Sequence, residues 1–109
     1  MTCQIIARTD DPVTLSSVGS GDADPPPRAG VTDLSADGMA CGLWEHTVGT
    51  STDTEVDEIF VVLSGRARID VTGAGSLDIG PGDIVRLTAG AQTTWHVTET
   101  LRKFWVAQD

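Results

Sequence analysis

The chain has 109 residues, carries 16 Asp and Glu against 7 Lys and Arg for a formal charge of -9, and contains two His, two Cys and no Tyr. A chain of this length is one domain with one modest core, so no second catalytic domain is available. Its acidic balance repels phosphate backbones and anionic lipid, which argues against nucleic acid and membrane surfaces as partners.

The charge is concentrated at the front. Residues 1–58 hold 11 acids against Arg8 and Arg28, whereas residues 59–109 are balanced; a solvated, loop-rich front half accounts for this. Cys3 and Cys41 lie far apart with no Cys-x-x-Cys spacing, which suits two reduced thiols and not a zinc knuckle or a disulfide framework. The apolar run Ile59-Phe60-Val61-Val62-Leu63 is far short of the ~20 residues that span a bilayer. The opening MTCQIIARTDD lacks the basic and apolar regions of a secretory signal, so the expected location is the cytoplasm.

Gln4–Arg8 is predicted as a short edge strand on the strength of Ile5 and Ile6. Residues 9–30 concentrate Asp, Ser, Gly and four Pro, a composition that breaks helices and ladders and predicts an irregular arm. The expected organisation is an N-terminal strand and arm over 1–38 and a barrel over 39–109, together one domain. From residue 39 short runs rich in Val, Ile, Thr, Trp and Phe are punctuated by Gly. They predict strands at 39–48, 57–63, 66–72, 76–79, 83–87, 93–98 and 102–107, joined by turns at 64–65, 73–75, 80–82 and 89–90. So many short strands with turn signals between them predict an antiparallel sandwich or barrel.

The two-residue period of a strand assigns faces. Glu58, Phe60 and Val62 share one side of 57–63, and Ile59, Val61 and Leu63 share the other, which predicts a strand packed on both faces. A carboxylate on an apolar face is costly without a partner, which marks Glu58 as a functional candidate.

The segment from Gly42 to Val106 resembles a small cupin, in particular the single-domain cupins related to ureidoglycine aminohydrolase and to the ethanolamine-utilisation cupins. DEIFVVLSGRARI supplies a Glu, six residues and a Gly (Glu58, Gly65); GPGDIVRLTAGAQTTW supplies the Gly-Asp opening of the second motif, with Thr88 where Pro is usual; GLWEHTVG and TWHVTETLRKFWV resemble the subfamily's own strands. The resemblance implies an all-β, cupin-type double-stranded β-helix, a jelly-roll barrel with an irregular N-terminal arm.

It also implies a metal site that this chain does not reproduce. A metal-dependent cupin uses two His ahead of the first-motif Glu and a third from the second motif. Here the His-x-His positions fall on Thr52 and Thr54, or on Ser51 and Asp53 with a spacer one residue longer, and the third falls on Thr93. Thr hydroxyls bind transition metals weakly. Of the usual ligands only Glu58 remains, so no cofactor is expected. His46 beside Glu58 is the remaining option for a divalent metal, and an acidic set using Glu45, Asp53 or Glu55 with Glu58 would suit Ca or Mg. His96 alternates against Thr93, Trp95 and Val97 and is expected to point away from the cavity.

The predicted cavity centres on Glu58 with Trp44, Phe60, Thr93 and Trp95 as its wall and Arg86 as countercharge if its strand turns it inward. Glu58 is the candidate general acid or base, and Glu45 a possible second acid; Trp44 and Glu45 point to opposite faces, and periodicity does not say which faces the cavity. Cys41 has no base at hand, so nucleophilic catalysis is not expected. The leading reading is a metal-free, small-molecule-binding cupin for a small polar metabolite. The alternatives are a divergent enzyme for a ureide or amine-type metabolite and a structural or interaction module. A homodimer through sheet edges is expected.

Overall fold

The computed structural model describes residues 3–19 and 25–108. All regular elements among them are strands: β1 Ser16–Ser17, β2 Arg28–Asp33, β3 Ala40–His46, β4 Gly49–Thr54, β5 Glu58–Val71, β6 Gly75–Ile79, β7 Ile84–Leu87 and β8 Gln92–Ala107. Among the described residues no helix is long and apolar enough to cross a membrane.

β5 and β8 form the frame, running antiparallel from Glu58 opposite Ala107 to Val71 opposite Thr93. The two ends of this ribbon have different flanks. Near Glu58, β3 pairs with β8 and β7 with β5. Near Val71, β4 pairs with β8 and β6 with β5. Phe60, Val62 and Leu87 from the first half and Ile69, Ile79, Trp95 and Val97 from the second bury in one core with Leu101. The halves therefore fold toward each other and enclose that core, which gives an all-β, antiparallel barrel-like domain.

The bend is built at Gly65. The β5–β8 register shifts between Val62 and Ala67, and Gly65 has a φ of 90°. A Cβ there would stand 2.7 Å from the Cα of Leu101 and closer still to the Thr100 carbonyl. This is a β-bulge region, which sharpens local twist and lets one ribbon serve both layers. The predicted turn at 64–65 is thus a bend inside one strand, and the pairs of strands predicted at 57–63 and 66–72 and at 93–98 and 102–107 are single strands.

Four other features differ from expectation. Gln4–Arg8 forms no strand. Part of the predicted arm enters the sheet instead: β1 pairs with β2 and β2 with β3, so the pairing begins well before residue 39; residues 20–24 of the arm lie outside the described residues. β4 was not anticipated because its sequence, GTSTDT, has no apolar side chain to betray a strand. Finally, the 57–63 strand is not sealed on both sides. Phe60 and Val62 are each 1% exposed, whereas Ile59 is 42% exposed.

The segment around residues 9–11 is held by Arg102. Its Nε donates to the Thr9 carbonyl at 2.7 Å, Nη2 donates to the Asp11 carbonyl, and Nη1 donates to Glu45 Oε1 at 2.8 Å. A guanidinium with three separate acceptors can fasten an otherwise strandless segment.

Candidate functional site

Alternation along four strands brings one set of side chains to the inner face. β3 contributes Trp44 and His46, and β5 contributes Glu58, Phe60 and Val62. β8 contributes Thr93 and Trp95 from one half and Leu101, Lys103 and Trp105 from the other, in keeping with their registers. On β4, Ser51 lies opposite Trp95 and Asp53 opposite Thr93. Directly paired residues share a face, so Ser51 and Asp53 point inward and Thr52 and Thr54 outward.

These elements leave a cavity of about 220 Å³. Its wall includes Trp44, Trp95 and Trp105, the carboxylates of Asp53, Glu55 and Glu58, and Lys103. Glu58, Trp44 and Trp95 are therefore brought together as expected, while Phe60 and Thr93 stand directly behind the wall. Phe60 packs on the Trp95 ring at 5.9 Å between centroids, and Thr93 hydrogen-bonds to Glu55.

Lys103 is the only lysine in the chain and is 5% exposed. Lysine is almost never buried without a partner. Here Nζ donates to Glu58 Oε2 at 2.7 Å, and the rings of Phe60, Trp44 and Trp95 surround it with centroids 4.3, 4.7 and 5.0 Å away. The negative ring faces supplement the single carboxylate in holding the ammonium. A second buried acid lies close by: Glu55 Oε2 accepts from Thr93 Oγ1 at 2.7 Å and from the Trp95 indole N–H at 3.0 Å. Among the described residues the Asp53 carboxylate accepts only from the Thr54 backbone N–H. Burial, then the charge of Glu55, raises its carboxyl above the ordinary value, against the opposing pull of the Thr54 N–H and of Lys103.

The other candidates stand elsewhere. Glu45 is on the outer face, ion-paired with Arg102 at 2.8 Å, so it is Trp44 and not Glu45 that faces the cavity. Arg86 does not provide the countercharge: β7 turns it to the exposed face, opposite Ile59, and Lys103 holds the place beside Glu58. His96 points outward, as expected, and bonds Asp70 at 2.8 Å. It borders a shallow outer groove with Arg66 and Arg68, away from the inward carboxylates.

His46 is buried, 1% exposed. Its Nδ1 lies 2.6 Å from the Thr47 carbonyl, which can only accept, so Nδ1 carries the proton and Nε2 accepts from Ser51 Oγ at 2.8 Å. Burial lowers its pKa below the ordinary imidazole value, opposed by the Thr47 bond. The ring is thus neutral and both nitrogens are engaged. A depressed imidazole stabilises the fold fully above the unfolded value of about 6.5, and that contribution is lost as pH falls, because the unfolded chain takes up the proton first. Unfolding free energy measured in urea should fall below about pH 6.5, the His46 contribution having a slope of up to about 1.4 kcal/mol per pH unit. His46→Gln should lack that component; an unchanged slope would remove the assignment.

The donors at the usual ligand positions do not fit a transition metal. They are the Ser51 hydroxyl, engaged by His46; Asp53, at the cavity wall; Thr93, engaged by Glu55; and Glu58, occupied by an ammonium. Among the described residues no group of three or more His, Cys, Asp or Glu is placed to hold a metal ion. The residues by themselves did not mark Lys103; they offered Glu55 only as a partner for a hard cation, and Asp53 in that role and as a degenerate His-x-His position. A usable signal existed for the first: a lone lysine at the middle of the alternation Leu101, Lys103, Trp105.

Comparison with known proteins agrees with this architecture. No functionally curated protein matches the chain. The Clostridium difficile EutQ protein is 22% identical with a TM-score of 0.70, over 88% of this chain and 80% of that one. A putative ethanolamine utilization protein Q from Salmonella typhimurium is 21% identical with a TM-score of 0.67, over 89% and 95%. A DUF861 family protein of unknown function from Pseudomonas syringae pv. tomato is 24% identical with a TM-score of 0.73, over 93% of this chain and 46% of that one. At these identities the likeness is one of fold. The EutQ-like cupin domain family matches residues 34–105, which carry the strands from β3 to most of β8. The chain therefore belongs to the EutQ-like cupin family, and its antiparallel barrel is a cupin jelly roll.

Proposed function

We propose that this cupin binds a small polar metabolite in the cavity beside Glu58, without a transition metal. The observation that carries the reading is the wall itself, which combines a buried Glu58–Lys103 pair with three tryptophans around a space of about 220 Å³. Small barrels of this kind hold one small ligand among inward side chains. Three carboxylates share the wall with one ammonium, so a ligand bearing an amine or another hydrogen-bond donor is favoured over an anion. The carboxyl of Asp53 is raised first by burial and then by the charge of Glu55, and the second cause is in keeping with that surplus.

All three tryptophans of the chain line the cavity, so intrinsic fluorescence reports directly on ligand entry. Tag-free protein titrated with a panel of small amines, ureides and carboxylates is expected to show saturable changes with amines or ureides, and Glu58→Gln should weaken them at least about tenfold. A panel that leaves the emission unchanged, or binding indifferent to Glu58, would overturn the reading. So would near-stoichiometric Mn, Fe, Ni or Zn on the purified protein, lost in Glu58→Gln.

A further inference from the structure

We propose that the Lys103 ammonium is a tethered replacement for a metal cation, held where metal-dependent relatives of this fold would hold an ion. Three observations converge. Position is the first: Lys103 shares the inner face with Ser51, Asp53, Glu58 and Thr93, the positions that the resemblance marks for ligands, and Nζ contacts the one ligand type that persists, at 2.7 Å from Glu58 Oε2. Replacement of the donors is the second. Where imidazoles would complete a coordination sphere, the ammonium meets three ring faces at 4.3–5.0 Å, and aromatic cages recognise organic ammonium groups. Charge is the third: the buried Glu55 and, at the exposed edge of the wall, Asp53 stand nearby with no ion-pair partner among the described residues, and a fixed cation offsets the mutual repulsion of carboxylates gathered on one wall.

The site is consequently specific for an ammonium on an alkyl stem. Cutting Lys103 back to Ala removes three methylenes and the ammonium, and propylammonium has that composition. It should enter the vacated slot, with its charge against Glu58 and its stem along the rings. The inference does not depend on the cavity's own ligand: a domain that bound no metabolite would still contain this cation site.

The experiment is a set of thermal melts of Lys103→Ala with propylammonium chloride as probe and potassium chloride and zinc chloride as controls. The variant is expected to melt below the wild type, and propylammonium to raise its melting temperature saturably, while potassium chloride at equal ionic strength does not. In the wild type Lys103 itself fills the slot, so propylammonium should raise the melting temperature of the variant more than that of the wild type. Adding Glu58→Gln should weaken the rescue at least about tenfold, the loss of a buried charge-assisted contact. A folded Lys103→Ala protein indifferent to propylammonium, or stabilised more by zinc, would overturn the proposal.

Should Lys103→Ala not fold, the wild type supplies the answer, because its single lysine is unambiguous. The ε-methylene protons of Lys103 should be shifted upfield by the surrounding rings, and acylation of Nζ should be at least about tenfold slower than for an exposed lysine. Random-coil shifts and unprotected acylation would overturn the proposal.

Discussion

Glu58→Leu is expected to destabilise the domain by about 3–5 kcal/mol, measured by urea denaturation, because it strands a buried charge without its counterion. The Lys103 and Glu58 side chains are 7% and 12% exposed, so water cannot take over the role of the carboxylate. The ring faces of Phe60, Trp44 and Trp95 lessen the penalty but leave the ammonium without an acceptor. The same principle gives the sharper expectation for the double variant. Replacing both members, in Glu58→Leu with Lys103→Met, fills the space with apolar groups and removes both charges, and should recover most of the loss. A buried pair of this kind is therefore weak evidence for stability as the reason it is there. Recovery in the double variant together with loss of the fluorescence response would separate the two roles: the pair would be dispensable for folding and required for the cavity. A Glu58→Leu protein as stable as the wild type would show that the ion pair does not form.

Gly65→Ala is the second large effect. Its left-handed backbone alone should cost about 1–3 kcal/mol in a residue with a Cβ, and the Cβ would also meet the Thr100 carbonyl and the Leu101 Cα. Gly73 provides the control. Its φ is 78°, but a Cβ there has nothing within 4 Å, so Gly73→Ala should show only that same conformational part, about 1–3 kcal/mol. The difference between the two denaturation midpoints isolates the close approach of β8 at the bend. Equal losses would mean that the strands are not pressed together there. Because Gly65 lies where one ribbon passes from the Glu58 half to the Trp95 half, the loss should be global and not confined to a local loop.

Much of the candidate site was legible in the residues. Period-two alternation put Glu58 on the Phe60 face and turned His96 away from Thr93, because a strand sends successive side chains to opposite faces whatever the surrounding fold. The motif glycine and carboxylate pointed to the jelly roll, and the absence of three imidazoles is a property of composition that no fold can alter. β4 escaped notice because its Thr, Ser and Asp side chains give no apolar alternation, and the long strands β5 and β8 were cut in two because a bulge glycine and a turn glycine look alike along a chain.

Other features existed only once strands were paired. Whether Trp44 or Glu45 faced inward depended on which side of β3 met the core, since each could be buried with a partner and only Arg102, 57 residues further along, gave Glu45 one on the outside. The choice between Ser51 with Asp53 and Thr52 with Thr54 depended on the register of β4 against β8, where a slip of one residue exchanges every side chain between faces. Lys103 is the clearest case. By itself it is a charged residue of ordinary solubility, and its burial becomes favourable only when Glu58, 45 residues earlier, and rings from three strands converge on one ammonium. The sequence alone determined the all-β character and the acid at the start of β5; the tertiary structure decided which cation answers that acid, because desolvating a charge is compensated only by partners brought from elsewhere in the chain.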